Sequence, residues 1–261
     1  MQLKFSKYQG TGNDFILVDN RDGAYNTGLT EAVIKSLCHR RFGIGADGLM
    51  TLNEKEGYDF EMVYYNADGR EGSMCGNGGR CIVKFAYDIG IRKIKYNFLA
   101  VDGPHDASIY DEGSVSLKMK DVTEIKKYKG DWVLNTGSPH YVQLVDEIMK
   151  LDVVKEGRKI RYSKDFEQEG INVNFVEVKD DENLIVRTYE RGVEDETYSC
   201  GTGVTAAALA FYHNENGFNN VDIQVLGGVL TVRYTRHTDG TFDHIWLKGP
   251  ALKVFDGMKE I

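Results

Sequence analysis

Apolar positions along this 261-residue chain recur mostly in alternation or in short runs, and seldom at helical spacing. Alternation over four to eight residues reads as a half-buried strand, and a short apolar run between turn residues as a buried one. Strands are therefore predicted over 3–8, 15–19, 49–52, 60–65, 96–101 and 114–119. A second series follows over 132–134, 141–145, 173–178, 184–189, 222–226, 230–234 and 244–248. Helical spacing is confined to three segments. Thr30 can cap a helix over 31–41, a second helix covers 79–87 with Gly90 as its stop, and a third covers 205–212 with Gly217 beyond it. The third is apolar on every side from Ala206 to Phe211, which predicts a buried helix. The pattern implies an α+β protein of two strand-rich halves, each a curved sheet around one buried helix.

The halves repeat. Met74-Cys75-Gly76-Asn77-Gly78 and Ser199-Cys200-Gly201-Thr202-Gly203 share Cys-Gly-x-Gly at an offset of 125 residues. Gly12 in Gly10-Thr11-Gly12-Asn13 and Gly137 in Asn135-Thr136-Gly137-Ser138 keep that offset, as do Gly45-Ala46-Asp47 and Gly170-Ile171-Asn172. A period of this length means duplicated domains with pseudo-two-fold symmetry, not a solenoid. Each Cys-Gly-x-Gly segment is expected to be a glycine loop leading into the N-terminus of a buried helix.

Composition narrows the class. A net charge of −8, from 32 Lys+Arg against 40 Asp+Glu, gives no basic face for nucleic acid or an anionic membrane. No apolar run reaches the length of a membrane span, and the first residues carry no signal-peptide pattern, so a soluble, cytoplasmic protein is expected. The 29 glycines, set against three prolines, cluster around Gly10, Gly43, Gly76 and Gly201, which favours a small polar ligand gripped by main chain. Gly43-Ile44-Gly45-Ala46-Asp47-Gly48 spells G-x-G-x-x-G. It follows a predicted helix and precedes a predicted strand, the reverse of a dinucleotide fingerprint. The four cysteines match no zinc spacing, so no metal is expected, and they are too few for a disulfide scaffold. Cys38 and Cys81 fall within apolar helical patterns and read as core thiols.

Cys75 and Cys200 differ, because each stands where a helix begins. Helix N-termini offer N–H groups and a positive dipole end, which lower a thiol's pKa and hold a carboxylate. If the halves face each other, two such cysteines flank one cleft. A thiolate and a thiol on opposite faces of one carbon are what stereoinversion needs: one takes the α-proton and the other returns one. The helix ends would meet the charge developing on the substrate carboxylate, with no cofactor required.

These residues resemble the diaminopimelate epimerase family. The matching segments are Gly10-Thr11-Gly12-Asn13-Asp14-Phe15, Tyr65-Asn66-Ala67-Asp68-Gly69, Met74-Cys75-Gly76-Asn77-Gly78-Gly79-Arg80-Cys81, Gly137-Ser138-Pro139-His140, Tyr189-Glu190-Arg191-Gly192 and Ser199-Cys200-Gly201-Thr202-Gly203. They stand in the family's order across nearly the whole chain. The resemblance implies cofactor-independent epimerisation of LL-diaminopimelate to the meso form, in lysine and peptidoglycan precursor synthesis. It also implies the roles. Cys75 and Cys200 are the acid/base pair, and His140 and Glu190 tune the thiols. Gly76, Asn77, Gly201 and Thr202 bind the reacting α-carboxylate end. Asn13, Asn66, Asn172, Glu190 and Arg191 fix the distal amino and carboxylate groups. Ser138 stands where the family commonly has asparagine. The fold implied returns residues 251–261 to the first half, giving half-domains of 1–118 plus 251–261 and of 119–250.

Two other readings stay open. One is a proline or hydroxyproline-type racemase on the same fold, although Glu190-Arg191 and the asparagines favour a substrate with a second zwitterionic end. The other is a thiol redox protein, which would lack C-x-x-C and leave Asn13, Asn66 and Arg191 without a task. The sequence leaves a homodimer open.

Overall fold

The computed structural model describes residues 1–261 except Ser73, Tyr212, His213 and Glu215. The last residue of the helix expected over 205–212, and Ser73 ahead of Cys75, thus lie outside the described residues. Elements run β1 (Gln2–Gly10), β2 (Asn13–Asp19), α1 (Glu31–Cys38), β3 (Gly48–Asn53), β4 (Glu61–Asn66), α2 (Gly76–Asp88), β5 (Lys95–Ala100), β6 (Gly103–Ile109) and β7 (Val115–Lys118). They continue with β8 (Ile125–Tyr128), β9 (Asp131–Asn135), β10 (Pro139–Leu144), α3 (Val153–Arg161), β11 (Asn172–Val178), β12 (Asn183–Glu190) and β13 (Asp195–Thr197). The series closes with α4 (Gly201–Ala210), β14 (Gly217–Val225), β15 (Gly228–Arg236), β16 (Phe242–Gly249) and β17 (Leu252–Glu260).

The chain divides into two compact units, Met1–Leu117 with Pro250–Ile261, and Lys118–Gly249. In the first, β17 and β2 flank β1 in antiparallel pairing, β2 and β3 run parallel, and β3–β4 is antiparallel. A parallel bridge then joins β4 to β5, and β5–β6–β7 closes as an antiparallel meander. In the second, β9–β10 is antiparallel, β10–β11 parallel, β11–β12 antiparallel and β12–β14 parallel, followed by the antiparallel β14–β15–β16. The succession of pairings is the same. Each unit also inserts one helix between the strands of its first parallel pair (α1 between β2 and β3, α3 between β10 and β11) and one between those of its second (α2 between β4 and β5, α4 between β12 and β14).

Burial explains why α2 and α4 are central. Within α2 the residues from Gly76 to Val83, with Phe85 and Ala86, are all buried. In α4 only Thr202 is not. The sheet of the first unit wraps α2 through β1, β2, β3, β6 and β17, and the second wraps α4 through β9 to β12 and β14 to β16. Both helices start earlier than their apolar patterns predict. The Cys-Gly-x-Gly segments are not loops ahead of helices; Gly76 and Gly201 are the first helical residues. Glycine is a poor helix former, so pattern alone starts the helices at Gly79 and Thr205. Close packing overrides that preference. A Cβ on Gly79 would stand 3.0 Å from a Leu117 methyl, and one on Gly203 would run into Asn174 Oδ1.

Other elements depart from the pattern for local reasons. Helix α1 stops at Cys38 instead of residue 41, because the chain folds back on its end. Ile44 N and Gly45 N donate to Leu37 O at 2.8 and 3.0 Å, and Ala46 N to Cys38 O at 3.0 Å. The helical order before Gly43 and the strand after it stand in the reverse of a dinucleotide fingerprint. Helix α3 was not among the expected elements, since six of its nine residues are charged or glycine; the 125-residue offset from α1 marks its place. Strands β6, β8, β13 and β17 were also missed. In β17 only Gly257 is even partly buried, so no alternation of apolar burial betrays it. Among the described residues, no helix is long and apolar enough to cross a membrane.

Candidate functional site

In the first unit Cys75 is the N-cap of α2, with extended backbone at φ −104° and ψ 130°. The first intrahelical bond runs from Gly79 N to Cys75 O at 2.7 Å. The N–H groups of Gly76, Asn77 and Gly78 therefore precede the helix's own ladder and project from its positive end. The Cys75 Sγ atom lies 3.6 Å from Asn13 Oδ1, and Asn77 Nδ2 lies 3.5 Å from the same oxygen. Asn13 opens β2 just after Gly12, whose φ of 87° suits the tight β1–β2 turn; its counterpart Gly137 has φ 114°. Asn66 ends β4 on the surface, in a turn closed by Asn66 N to Arg70 O at 2.9 Å. A Cβ on Gly72 would stand 2.7 Å from Asn66 Nδ2.

A charged network holds Asn13 from behind. Its Nδ2 donates to Asp47, whose carboxylate also accepts from Asp14 N at 3.1 Å and pairs with Arg40. Arg40 reaches Asp14 at 2.7 Å and Lys7 reaches it at 2.7 Å. Burial alone would raise the Asp14 carboxyl, but hydrogen bonds from Arg40 and Lys7 with their charges hold it down, from 3.8 to about 2. A carboxyl depressed in the folded state stabilises the fold above its unfolded pKa and loses that contribution as pH falls through the folded value. The stability difference between wild type and Asp14→Asn is therefore expected to be constant above about pH 5 and to shrink between about pH 4 and 2. Urea denaturation across that range checks it, and a gap independent of pH would contradict the network's role.

In the second unit Cys200 is the N-cap of α4, at φ −119° and ψ 110°, and is 7% exposed. Its Sγ lies 3.6 Å from Thr202 Oγ1. Thr136 Oγ1 donates to Thr202 O at 2.8 Å, tying the turn before β10 to the first turn of α4. His140, on β10, is wholly buried. Asn174 Nδ2 stands 3.0 Å from His140 Nδ1 and donates to Tyr141 O at 3.0 Å, while Asn174 Oδ1 accepts from Thr188 Oγ1. With Nδ1 accepting, the imidazole proton resides on Nε2, which has no hydrogen-bond partner among the described residues. Burial, and then the Arg191 charge, push the His140 pKa down to about 3, so the ring is neutral at physiological pH. A Cβ on Gly203 would stand 3.3 Å from Cys200 Sγ as well as meeting Asn174, so His140, Asn174 and Cys200 belong to one packed cluster.

Asn172 and Arg191 are joined directly. Arg191 N donates to Asn172 Oδ1 at 2.8 Å, and Asn172 Nδ2 donates to Pro139 O at 3.2 Å. Glu190 is the half-buried last residue of β12, and Arg191, exposed beyond it, donates from Nη1 to Glu169 O at 2.9 Å. The structure thus gathers Cys75, Gly76, Asn13 and Asn77 in one unit, with Asn66 on the nearby β4 turn. In the other it gathers Cys200, Gly201, Thr202 and His140, and joins Asn172 to Arg191 beside Glu190. Asn174, Asp47 and Arg80 are structural members that the sequence did not single out. Their signal was polarity out of place: Asn174 interrupts the apolar run over 173–178, and Arg80 sits in a buried helix. Among the described residues no three of His, Cys, Asp and Glu are gathered so as to hold a metal ion.

The family model described as diaminopimelate epimerase matches residues 5–125 and 132–254. A protein of Flavobacterium psychrophilum named diaminopimelate epimerase is 50% identical over 255 residues, covering 97% of this chain and 99% of its own. Another of that name from Chlorobaculum tepidum is 44% identical over 257 residues, covering 95% and 98%. Among solved structures, a phenazine biosynthesis protein of the PhzF family from Bacillus anthracis matches with a TM-score of 0.78 at 13% identity, covering all of both chains. A hydroxyproline epimerase from Agrobacterium vitis, solved with trans-4-hydroxy-L-proline, matches with a TM-score of 0.65 at 14% identity, covering 98% and 92%. At such identities the likeness is one of fold.

Proposed function

The chain belongs to the diaminopimelate epimerase family, and on that premise we propose that it inverts one α-carbon of LL-diaminopimelate, giving the meso isomer, with Cys75 and Cys200 as paired acid and base. It is an isomerase, an amino-acid epimerase. One observation carries the mechanism: each cysteine N-caps the buried helix of its unit, at the same place in the same succession of strands. One sulfur, as thiolate, takes the α-proton; the other, as thiol, delivers its proton to the opposite face. The carbon gains the new C–H bond from the side opposite the one it lost, and the two sulfurs exchange protonation states. The reaction consumes no redox equivalents and needs no cofactor.

The carbanion generated between the two transfers spreads its charge onto the α-carboxylate. The first-turn N–H groups at Gly76 and Asn77, and at Gly201 and Thr202, are oriented donors for that charge. Asn13, Asn66, Asn172, Glu190 and Arg191 would hold the distal amino-acid end, Arg191 on the carboxylate and Glu190 on the ammonium. His140, neutral in its buried cluster, would act on Cys200 without adding charge. The product would feed lysine and peptidoglycan precursor synthesis in the cytoplasm. A ring imino acid offers no second zwitterionic end to Glu190 and Arg191, which is why it ranks behind diaminopimelate.

Incubation in D₂O with LL-diaminopimelate, L-proline or trans-4-hydroxy-L-proline tests the reading, with α-deuterium followed by NMR and mass spectrometry. Exchange and inversion of diaminopimelate alone is the expected result. Exchange of proline instead would keep two-thiol chemistry and overturn the substrate. Exchange of none would return the pair to a redox role.

A further inference from the structure

Glu194 closes the turn that follows β12, its backbone N donating to Glu190 O at 2.8 Å. The residue is left-handed, at φ 60°, where any side chain with a Cβ is disfavoured. The first unit avoids that conflict. At the equivalent place, 125 residues earlier, stands Gly69, with φ 94° and its N donating to Asn66 O at 2.9 Å. A glutamate kept where glycine fits better points to a use for its side chain.

The Glu194 carboxylate ties the turn to its surroundings. Its Oε1 accepts from Gly192 N at 3.1 Å and lies 3.4 Å from Arg161 Nε, at the end of α3. Its Oε2 accepts from the hydroxyls of Tyr162 and of the wholly buried Tyr189, each at 2.9 Å. Burial alone would raise this carboxyl, but the Gly192 N–H, the two hydroxyls and the Arg161 charge hold it below the usual glutamate range. These contacts converge on Arg191, which stands just past the end of β12. Side chains hold the peptide N–H on either side of it: Arg191 N donates to Asn172 Oδ1 at 2.8 Å, and Gly192 N to Glu194. Arg161, which Glu194 engages, also lies beside the Arg191 stem. A Cβ on Gly170 would stand 2.6 Å from Arg191 Cδ and 2.8 Å from Arg161 Cζ. Without the carboxylate, two guanidinium groups would share that space with one anion fewer. The Glu190 backbone, by contrast, is fixed by strand pairing, in register with Asp195 of β13.

Resting on the reading that Arg191 grips the distal carboxylate of the substrate, we propose that Glu194 is a positioning residue: it fixes the turn that presents Arg191 and so sets the enzyme's affinity for an amino acid with a second zwitterionic end. The distal carboxylate takes no part in proton transfer at the other α-carbon, so the grip on it is equal in the ground state and the transition state. Loss of Glu194 therefore weakens binding and leaves the chemical step nearly unchanged.

The test is steady-state epimerisation of LL-diaminopimelate by the full-length protein and by Glu194→Gly, Glu194→Gln, Arg191→Met and the Arg191→Met/Glu194→Gly double variant. Glycine accepts the left-handed backbone, as Gly69 does, so Glu194→Gly removes the carboxylate without imposing a new conformation. It is expected to raise KM about tenfold and to leave kcat within about threefold, the pattern of lost uniform binding. Glu194→Gln keeps an oxygen for Gly192 N but loses the charge, and its KM should fall between those of wild type and Glu194→Gly. The double variant should have no higher KM than Arg191→Met alone, because Glu194 acts through Arg191. A wild-type KM in Glu194→Gly, a loss confined to kcat, or additive effects in the double variant would each overturn the proposal. If Glu194→Gly lacks native circular dichroism, Glu194→Gln decides: an unchanged KM there overturns it. The failure of the underlying reading looks different. A wild-type KM in Arg191→Met would remove the distal grip and the proposal with it, whereas a raised KM there beside an unchanged one in Glu194→Gly removes the proposal alone.

Discussion

Replacement of either Cys75 or Cys200 by alanine is expected to lower epimerisation at least about 10³-fold in both directions, the loss associated with removing a proton-transfer group. The two variants should differ in what they retain. Each keeps one sulfur, which can take a proton from the isomer it faces and return a deuteron to the same side. Cys75→Ala is thus expected to exchange the α-proton of one isomer in D₂O without inverting it, and Cys200→Ala that of the other. Chiral chromatography with mass spectrometry reads both quantities at once. A variant that keeps more than about a tenth of wild-type turnover, or two variants that exchange the same isomer, would contradict the opposed-thiol assignment.

A second large effect, on stability, is expected at Gly203. Its neighbour Asn174 is held by three contacts, to His140, Tyr141 and Thr188, so its carboxamide cannot swing aside without breaking buried hydrogen bonds. Gly203→Ala drives a methyl into that carboxamide and against the Cys200 side chain. The cost is estimated at about 2–4 kcal/mol, combining overpacking with a lost buried hydrogen bond, and activity should fall with it. Gly79→Ala makes the contrast. There the new methyl meets the ends of the Leu117 and Met74 side chains at 3.0 and 3.3 Å, which can turn away. Its cost should stay below about 1 kcal/mol, offset by the better helix propensity of alanine. Urea denaturation of both variants checks the order; equal losses would mean that Asn174 yields as easily as a leucine methyl.

How much of this could be read from the chain depended on what carried the signal. The duplication showed in glycine spacing because Gly12 and Gly137, and Gly45 and Gly170, all need positive φ, a requirement that side-chain substitution cannot blur. The strands with a buried face were legible for the same reason that they fold, through alternation. Strand β17 was not, because its side chains are nearly all exposed and its place is fixed by main-chain pairing with β1. The helix starts were misplaced by three to four residues, since helix-forming tendency and close packing disagree at glycine, and only the three-dimensional neighbours decide. The cysteines were legible as a pair through their register. Asn174 and Arg80 were not, because a buried polar residue declares its purpose only through its partners.

The first unit is interrupted in sequence: its sheet is closed by β17, whose partner β1 lies at the opposite end of the chain, with Ile261 N bonded to Met1 O at 2.9 Å. On the ribosome this imposes an order. The second unit is contiguous and can complete its sheet before β17 is made, whereas β1 must wait with one edge open while that entire unit is translated. Leu3, Phe5 and Tyr8 of β1 are buried in the finished protein, so the waiting edge is unpaired beside apolar side chains, the kind that recruits stray strands from other chains. Vectorial synthesis thus concentrates the hazard in one interval between two halves of otherwise equal design.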